Sequence, residues 1–307
     1  MWDIPTDPSE LYLYLLEIEW LHPFYAYVVF IILTFAVTDG ARRCAAQVLG
    51  DSKMLKFNEF LSVLTMCTAH FGEASIYYAY GLIPMFIAII INWKIGEHFY
   101  RGSGENSCLL FEEYISRTVD NSDMLALALL QYFGATLAYI FNIIAWHYTA
   151  KYTGLMGGPE ECLYLETAPL PLVALYQFLA AAGLRVALEY MTSERCKKYI
   201  CLVYAVLFCL GQHLVGVPGV HPMMCASRLT GCYFLQEDAV VKYICVYLLG
   251  ITTGWLVSAA ALSERTKLKS MWRVKFEERL AAEEAALMAE QPVKRFVGKG
   301  NRRREVR

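Results

Sequence analysis

The sequence predicts an all-α integral membrane protein in which seven spanning helices are joined by two half-length ones. Three observations lead there. Of 307 residues, 57% are hydrophobic and only 18% charged, against about 25% charged in soluble domains. The apolar residues come in long blocks rather than at a helical or strand period, a pattern of helices surrounded by lipid rather than of a one-sided core. Finally, two apolar runs of about ten residues follow full-length ones, too short for a bilayer, which takes roughly 20 helical residues.

The spanning blocks fall at about 23–41, 58–80, 81–99, 124–148, 169–190, 198–216 and 239–262. The second and third touch at "YAYGLIPMF", where Gly81 and Pro84 supply a turn. Arg42, Arg43, Lys53 and Lys56 follow the first block. Arg101 and Arg117 follow the third, Arg195, Lys197 and Lys198 the fifth, and a long basic tail the seventh. The opposite loops are poor in Lys and Arg, and 151–168 carries Glu160, Glu161 and Glu166. The positive-inside rule therefore puts the N-terminus on the lumenal or extracellular side and the tail in the cytoplasm. An odd number of spans demands the same split. The N-terminus lacks the basic region and early apolar core of a cleavable signal peptide.

Charge and cysteine usage exclude some classes. A net charge of −2 gives no footprint for nucleic acid. Ten cysteines lie mostly inside apolar blocks, with no CxxC pair and no metal-ligand spacing, so they read as small buried hydrophobes. No metal and no cofactor is expected. His70, His98, His147 and His213 share no ligand spacing and read as packing or interfacial residues. Glu73, Glu97 and Arg185 fall inside spanning blocks, where ionisable groups default to function. Glu97 and Arg185 lie near the cytoplasmic ends and are expected to snorkel. The tail "ERTKLKSMWRVKFEERLAAEEAALMAE" reads as a charged cytoplasmic helix that touches anionic headgroups. No paired acids, nucleophile with a base, or metal cluster supports an enzyme.

The two short segments carry the chemistry. "FYRGSGENSCLLFEEYISRT" leaves the third span through glycines to Asn106, and "GVPGVHPMMCASRLTGC" leaves the sixth through Gly and Pro to His221, 115 residues on. Setting the first span aside, each ends a three-span set, and an odd set forces the second to be inverted relative to the first. Inverted repeats of this kind place a site at the membrane midplane. Ten helical residues rise about 15 Å, so two such segments entering from opposite faces, 105–117 and 221–233, cover the roughly 30 Å core. Asn106 is a favoured N-cap type, and Pro222 suits the first helical position. Two positive helix ends then converge at the centre, a place that admits neutral hydrogen-bonding solutes and repels cations.

These residues resemble the aquaporin family, and its divergent superaquaporin branch in particular. Asn106-Ser107-Cys108, with Gly102 four residues earlier, is similar to that branch's first Asn-Pro-Cys box, Ser107 replacing the proline. His221-Pro222-Met223 stands where the second Asn-Pro-Ala box falls. "NEFLSVL", with Glu59, resembles the start of the family's first core helix. "LLQYFGATLAY", with Gln131 and Gly134, resembles the third, and Gln177 falls where the fourth carries a glutamate.

The resemblance covers about 58–262. It implies an aquaporin-like six-helix bundle with two re-entrant half-helices in an inverted repeat, plus one extra N-terminal transmembrane helix. Residues 1–57 would hold that addition and 263–307 the basic tail. It implies passive permeation by water and small neutral solutes such as glycerol or hydrogen peroxide, and a homotetramer in an intracellular membrane such as the endoplasmic reticulum, or in the plasma membrane. Pore and selectivity roles fall to Asn106, Ser107, Cys108, His221, Pro222 and Met223, with Phe86, Met224 and Arg228 at the outer mouth. Supporting roles fall to Glu59, Gly102, Gln131 and Gln177, Glu59 accepting from loop backbone.

The family's outer arginine is replaced by Met224, with Arg228 one turn further on, so a wider, less polar mouth is expected. His221 replaces an asparagine. Two positive helix ends and a low dielectric disfavour an imidazolium there, and a neutral ring can still donate one hydrogen bond and accept one. The alternative reading is a non-conducting scaffold that keeps the fold and acts through its tail. A seven-span receptor fits the span count but has no place for two half-spans.

Overall fold

A computed structural model describes residues 22–99, 106–153, 167–191, 194–217, 219–228 and 244–262. Its elements are α1 (His22–Ala46), α2 (Asp51–Tyr80), α3 (Leu82–Phe99), α4 (Ser107–Ile115) and α5 (Asn121–Thr153). They continue with α6 (Leu170–Tyr190), the single turn α7 (Glu194–Lys197), α8 (Ile200–Val215) and α9 (Pro222–Arg228). Last comes α10 (Ile244–Leu262), which opens with a π-helical turn over Ile244–Leu248. Every expected span is a helix, both short segments are short helices, and no strand occurs among the described residues. The basic tail and Gly102 lie outside those residues.

Five helices, α1, α3, α5, α6 and α10, are long and apolar enough to cross a membrane. The two that fall short do so for different reasons. α8 has 16 residues, about 24 Å at helical rise, and stops at Gly216, whose φ of 78° closes the helix in the left-handed conformation glycine adopts without strain. α2 has 30 residues but carries Asn58, Glu59, His70 and Glu73. These side chains are buried, and nearly every residue from 58 to 76 is. α2 is the centre of the bundle, so its polar groups face protein rather than lipid, the arrangement a spanning helix with ionisable residues requires. The outer helices show the complement. Ile32, Val37, Ile83, Ile91, Phe133 and Leu175 are exposed, and lipid supplies their apolar environment.

The two halves repeat each other's packing. α2 crosses α5, and α6 crosses α10, each pair in extensive contact. A Cβ on Gly134 of α5 would lie 2.8 Å from the Phe60 carbonyl oxygen of α2, and one on Gly254 of α10 would lie 2.2 Å from the Phe178 carbonyl oxygen of α6. Each crossing is thus set by a glycine against the backbone beside a matching phenylalanine, Glu59-Phe60 in one half and Gln177-Phe178 in the other. Small residues let membrane helices approach this closely.

α1 lies outside this pair of repeats. It packs on α2, where the Tyr27 ring comes within 3.0 Å of a Cβ built on Gly72. Arg42, fully buried, donates to Asn58 Oδ1 at 2.9 Å and to Ser62 Oγ at 3.1 Å. These two bonds tie α1 to the central helix.

Candidate functional site

Asn106 is the N-cap of α4. Its backbone is extended (φ −105°, ψ 116°), and its Oδ1 accepts from the Cys108 amide at 2.9 Å. The carbonyl end of the amide is used by the helix, and the –NH2 end remains a donor. His221 stands just ahead of α9, where its Nδ1 accepts from the Met224 amide at 3.2 Å. An accepting Nδ1 carries no proton, so the neutral ring keeps its hydrogen on Nε2. The histidine therefore does for α9 what the asparagine does for α4. Each caps its helix through an acceptor and retains an N–H.

Both residues line one cavity of about 60 Å3. Met66, Leu109, Leu184 and Leu188 give it apolar walls, and Trp93, Tyr204 and Trp255 complete it. The two indoles turn their N–H groups to carboxylates: Trp93 to Glu97 at 3.0 Å and Trp255 to Glu112 at 2.7 Å. Among the described residues, no carboxylate lines the cavity itself. It is far smaller than the roughly 300–1,000 Å3 of pockets for drug-sized ligands. The space suits water and molecules little larger.

The loop that delivers His221 is held by α6. Gln177, fully buried, accepts from the Val220 amide at 3.2 Å. Gly219 lies so close that a Cβ there would overlap the Gln177 amide at 1.3 Å, so a side chain at this position would displace that amide from the Val220 N–H. Val220 adopts φ 78°, an uncommon conformation for a β-branched residue. The glycines around His221 thus have separate tasks, a helix stop at Gly216 and a close approach at Gly219. On the other half, Gln131 donates to Glu59 Oε2 at 3.4 Å across the α2–α5 crossing. Contact with loop backbone, the role expected of Glu59 in the first half, is made in the second half by Gln177.

Of the expected pore residues, Asn106 and His221 line the cavity. Ser107, Cys108, Pro222, Met223 and Met224 are buried behind it. Phe86 is half-buried on α3 and packs against the core away from the cavity. The Arg228 side chain lies outside the described residues. One expectation is corrected. Arg185 does not snorkel: it is 3% exposed, and its Nε and Nη2 each donate to Glu112 of α4 at 2.9 Å, with Nη1 donating to Glu189 at 3.1 Å. A half-helix that re-enters the bundle brings an acid to the arginine's own depth, so water is not needed. Glu97, by contrast, is paired with Lys94 at 3.0 Å on a side chain 35% exposed.

Sequence reasoning missed Tyr204, Trp93 and Trp255. They sit in apolar blocks at spacings that lipid-facing aromatics also show, and no motif marks them. His98, His147 and His213 are exposed, whereas His70 is buried and hydrogen-bonded.

Among the described residues, five helices long and apolar enough to span, two short capped helices and a cavity they share define an all-α multi-pass membrane protein. No family model matches the chain. A Caenorhabditis elegans protein called putative aquaporin-10 is 26% identical over 260 residues, covering 82% of this chain and 91% of that one. The chain is thus similar, distantly and over most of its length, to a protein named as an aquaporin.

Proposed function

We propose that the protein is a passive channel for water and small neutral solutes, its path running through the cavity shared by Asn106 and His221. One observation carries this reading: both residues spend their acceptor on a helix N-terminus and keep a donor, and both line the same small cavity. A solute oxygen crossing an otherwise apolar stretch needs such donors, because an unsatisfied polar group costs several kcal/mol (roughly 2–7) away from water. The likeness to putative aquaporin-10 supports the same reading.

The conducting portion is 58–262, with 1–57 adding a helix outside the repeats. The Lys/Arg asymmetry supports a lumenal or extracellular N-terminus and a cytoplasmic tail. Protease protection of a tag at each end tests that orientation. Both tags on one side would mean that α1 does not span.

Osmotic swelling of proteoliposomes holding the purified full chain tests the function. Water flux above protein-free vesicles, with glycerol and hydrogen peroxide measured alongside, is the expected result. A correctly folded protein that conducts none of the three would replace the channel by the scaffold reading.

A further inference from the structure

A chain of buried polar side chains runs from the outermost helix to the cavity wall. Asn92 on α3 donates to the Tyr27 hydroxyl on α1 at 2.5 Å and to Glu73 Oε1 on α2 at 2.7 Å. Glu73 Oε2 lies 2.6 Å from Nδ1 of His70, and His70 Nε2 lies 3.0 Å from the Tyr204 hydroxyl on α8. Glu73 is fully buried, His70 is 6% exposed, and Tyr204 lines the cavity. The rings of Phe208 and Tyr204 wall the imidazole, with centroids at 4.7 and 5.4 Å.

The charge of this pair decides which way the chain donates. Among the described residues, His70 is the cationic partner within reach of Glu73. The other titratable groups facing the carboxylate are Tyr27 on α1 and Cys209 on α8, side chains that are uncharged at neutral pH by their ordinary values. A lone carboxylate buried at this depth is costly. The pair therefore has zero net charge, with one proton shared between Oε2 and Nδ1. Whether that proton sits on oxygen or on nitrogen, electroneutrality keeps a second hydrogen on Nε2. Nε2 then donates to the Tyr204 oxygen, and the hydroxyl hydrogen of Tyr204 is turned away from His70.

We propose that Tyr204 is a specificity-determining residue of the permeation path, its hydroxyl directed by the buried His70–Glu73 pair to donate to the oxygen of a passing neutral solute. His70 and Glu73 are positioning residues. The inference rests on the channel reading. It makes Tyr204 a third donor beside Asn106 and His221, in a cavity otherwise walled by Met66, Leu109, Leu184, Leu188 and two indoles, Trp93 and Trp255, whose N–H groups are turned to Glu97 and Glu112. Such a path selects solutes with an acceptor oxygen and rejects ammonium-like cations, which offer only donors.

The test uses the full chain in proteoliposomes and whichever of water, glycerol and hydrogen peroxide the wild type conducts fastest. Tyr204→Phe removes one hydroxyl from an isosteric ring and is expected to lower that permeability about five-fold, the factor one neutral hydrogen bond carries. Glu73→Gln abolishes the shared proton. The ring can then give Nδ1–H to the amide and accept from Tyr204 at Nε2, so a similar loss is expected. The double variant should lose no more than Tyr204→Phe alone, because both changes act on one hydroxyl. A merely structural role for Glu73 would multiply the two losses instead. Should Glu73→Gln not yield folded protein, His70→Gln replaces it with the same coupling expected. Tyr204→Phe within two-fold of wild type, or independent losses in the double variant, overturns this inference alone. A folded wild type that conducts nothing overturns the channel reading and this one with it.

Discussion

Arg185 of α6 grips Glu112 of α4 with two prongs of its guanidinium, Nε to Oε2 and Nη2 to Oε1, each at 2.9 Å. The arginine side chain is 4% exposed and the glutamate 19%, and the same carboxylate accepts from the Trp255 indole of α10. A half-helix has no membrane-spanning length to anchor it. This one is anchored through its second turn to two full-length helices.

Removing one member of such a pair leaves the other buried and uncompensated, which costs about 3–5 kcal/mol. Arg185→Ala should therefore lower the thermal midpoint of the detergent-solubilised protein far more than Arg43→Ala, whose partner Asp39 it meets from a side chain 72% exposed. Replacing both partners, Arg185→Met with Glu112→Leu, should restore much of the loss. Equal midpoints for Arg185→Ala and Arg43→Ala would show that the pair does not hold α4.

The glycine crossings separate close approach from mere small size. A Cβ at Gly254 would lie 2.2 Å from the Phe178 carbonyl oxygen, while one at Gly183 meets nothing within 4 Å. Gly254→Ala must push α6 and α10 apart, an overpacking worth about 1–3 kcal/mol. Gly183→Ala, in the interior of α6, should leave stability unchanged or raise it, since alanine favours helix over glycine by about 0.5–1 kcal/mol. Thermal unfolding of both variants checks the contrast, and a neutral Gly254→Ala contradicts the crossing geometry.

Ser107 is the first residue of α4, fully buried, and its Oγ has no hydrogen-bond partner among the described residues. Asn106 before it is at φ −105°, ψ 116°, the extended region that a following proline demands. The missing amide hydrogen of a proline is no loss at that helical position. Ser107→Pro should thus be tolerated and stabilise by about 0.4–1 kcal/mol, read as a raised midpoint with transport retained. A lower midpoint would mean that the hydroxyl has a task the cap geometry does not reveal.

How far the sequence could be read follows from where each signal comes from. The spanning blocks were legible because glycine, proline or charge bounds each of them. The block beginning near 58 belongs to a helix that starts at Asp51, because hydropathy marks the lipid boundary while the helix runs on through Lys53 and Lys56. Asn106 and His221 stood out as polar residues amid glycines ahead of apolar runs too short to span. Tyr204 and Trp255 did not, since an aromatic residue reads the same whether it faces lipid or a cavity. Arg185 was misread for a related reason. Depth along a span is visible in sequence, but the re-entrant helix that carries Glu112 to the same depth is visible only in three dimensions.

His221 makes the sharpest prediction. Its Nδ1 accepts from the Met224 amide at 3.2 Å, which only a ring unprotonated at that atom can do. An added proton would set N–H against N–H, break the cap and put a full positive charge at the cavity wall. Among the described residues no carboxylate lines the cavity to offset it; Glu112, behind Trp255, is held by Arg185, and Tyr204 offers only a hydroxyl. On the channel reading it is the neutral form that conducts, so permeability should be full at neutral pH and fall as pH falls, for water and other solutes alike. His221→Asn keeps one acceptor for the helix and one donor for the cavity, the arrangement Asn106 already has with Cys108. It should retain transport and lose the acid inhibition. His221→Ala removes both groups, costs about 1 kcal/mol of capping and should lower transport at every pH. Swelling assays on the three proteins between about pH 7.5 and 5, a range that brackets the ordinary histidine value, decide the matter. A wild type and His221→Asn with the same pH profile would remove His221 from any role in acid response.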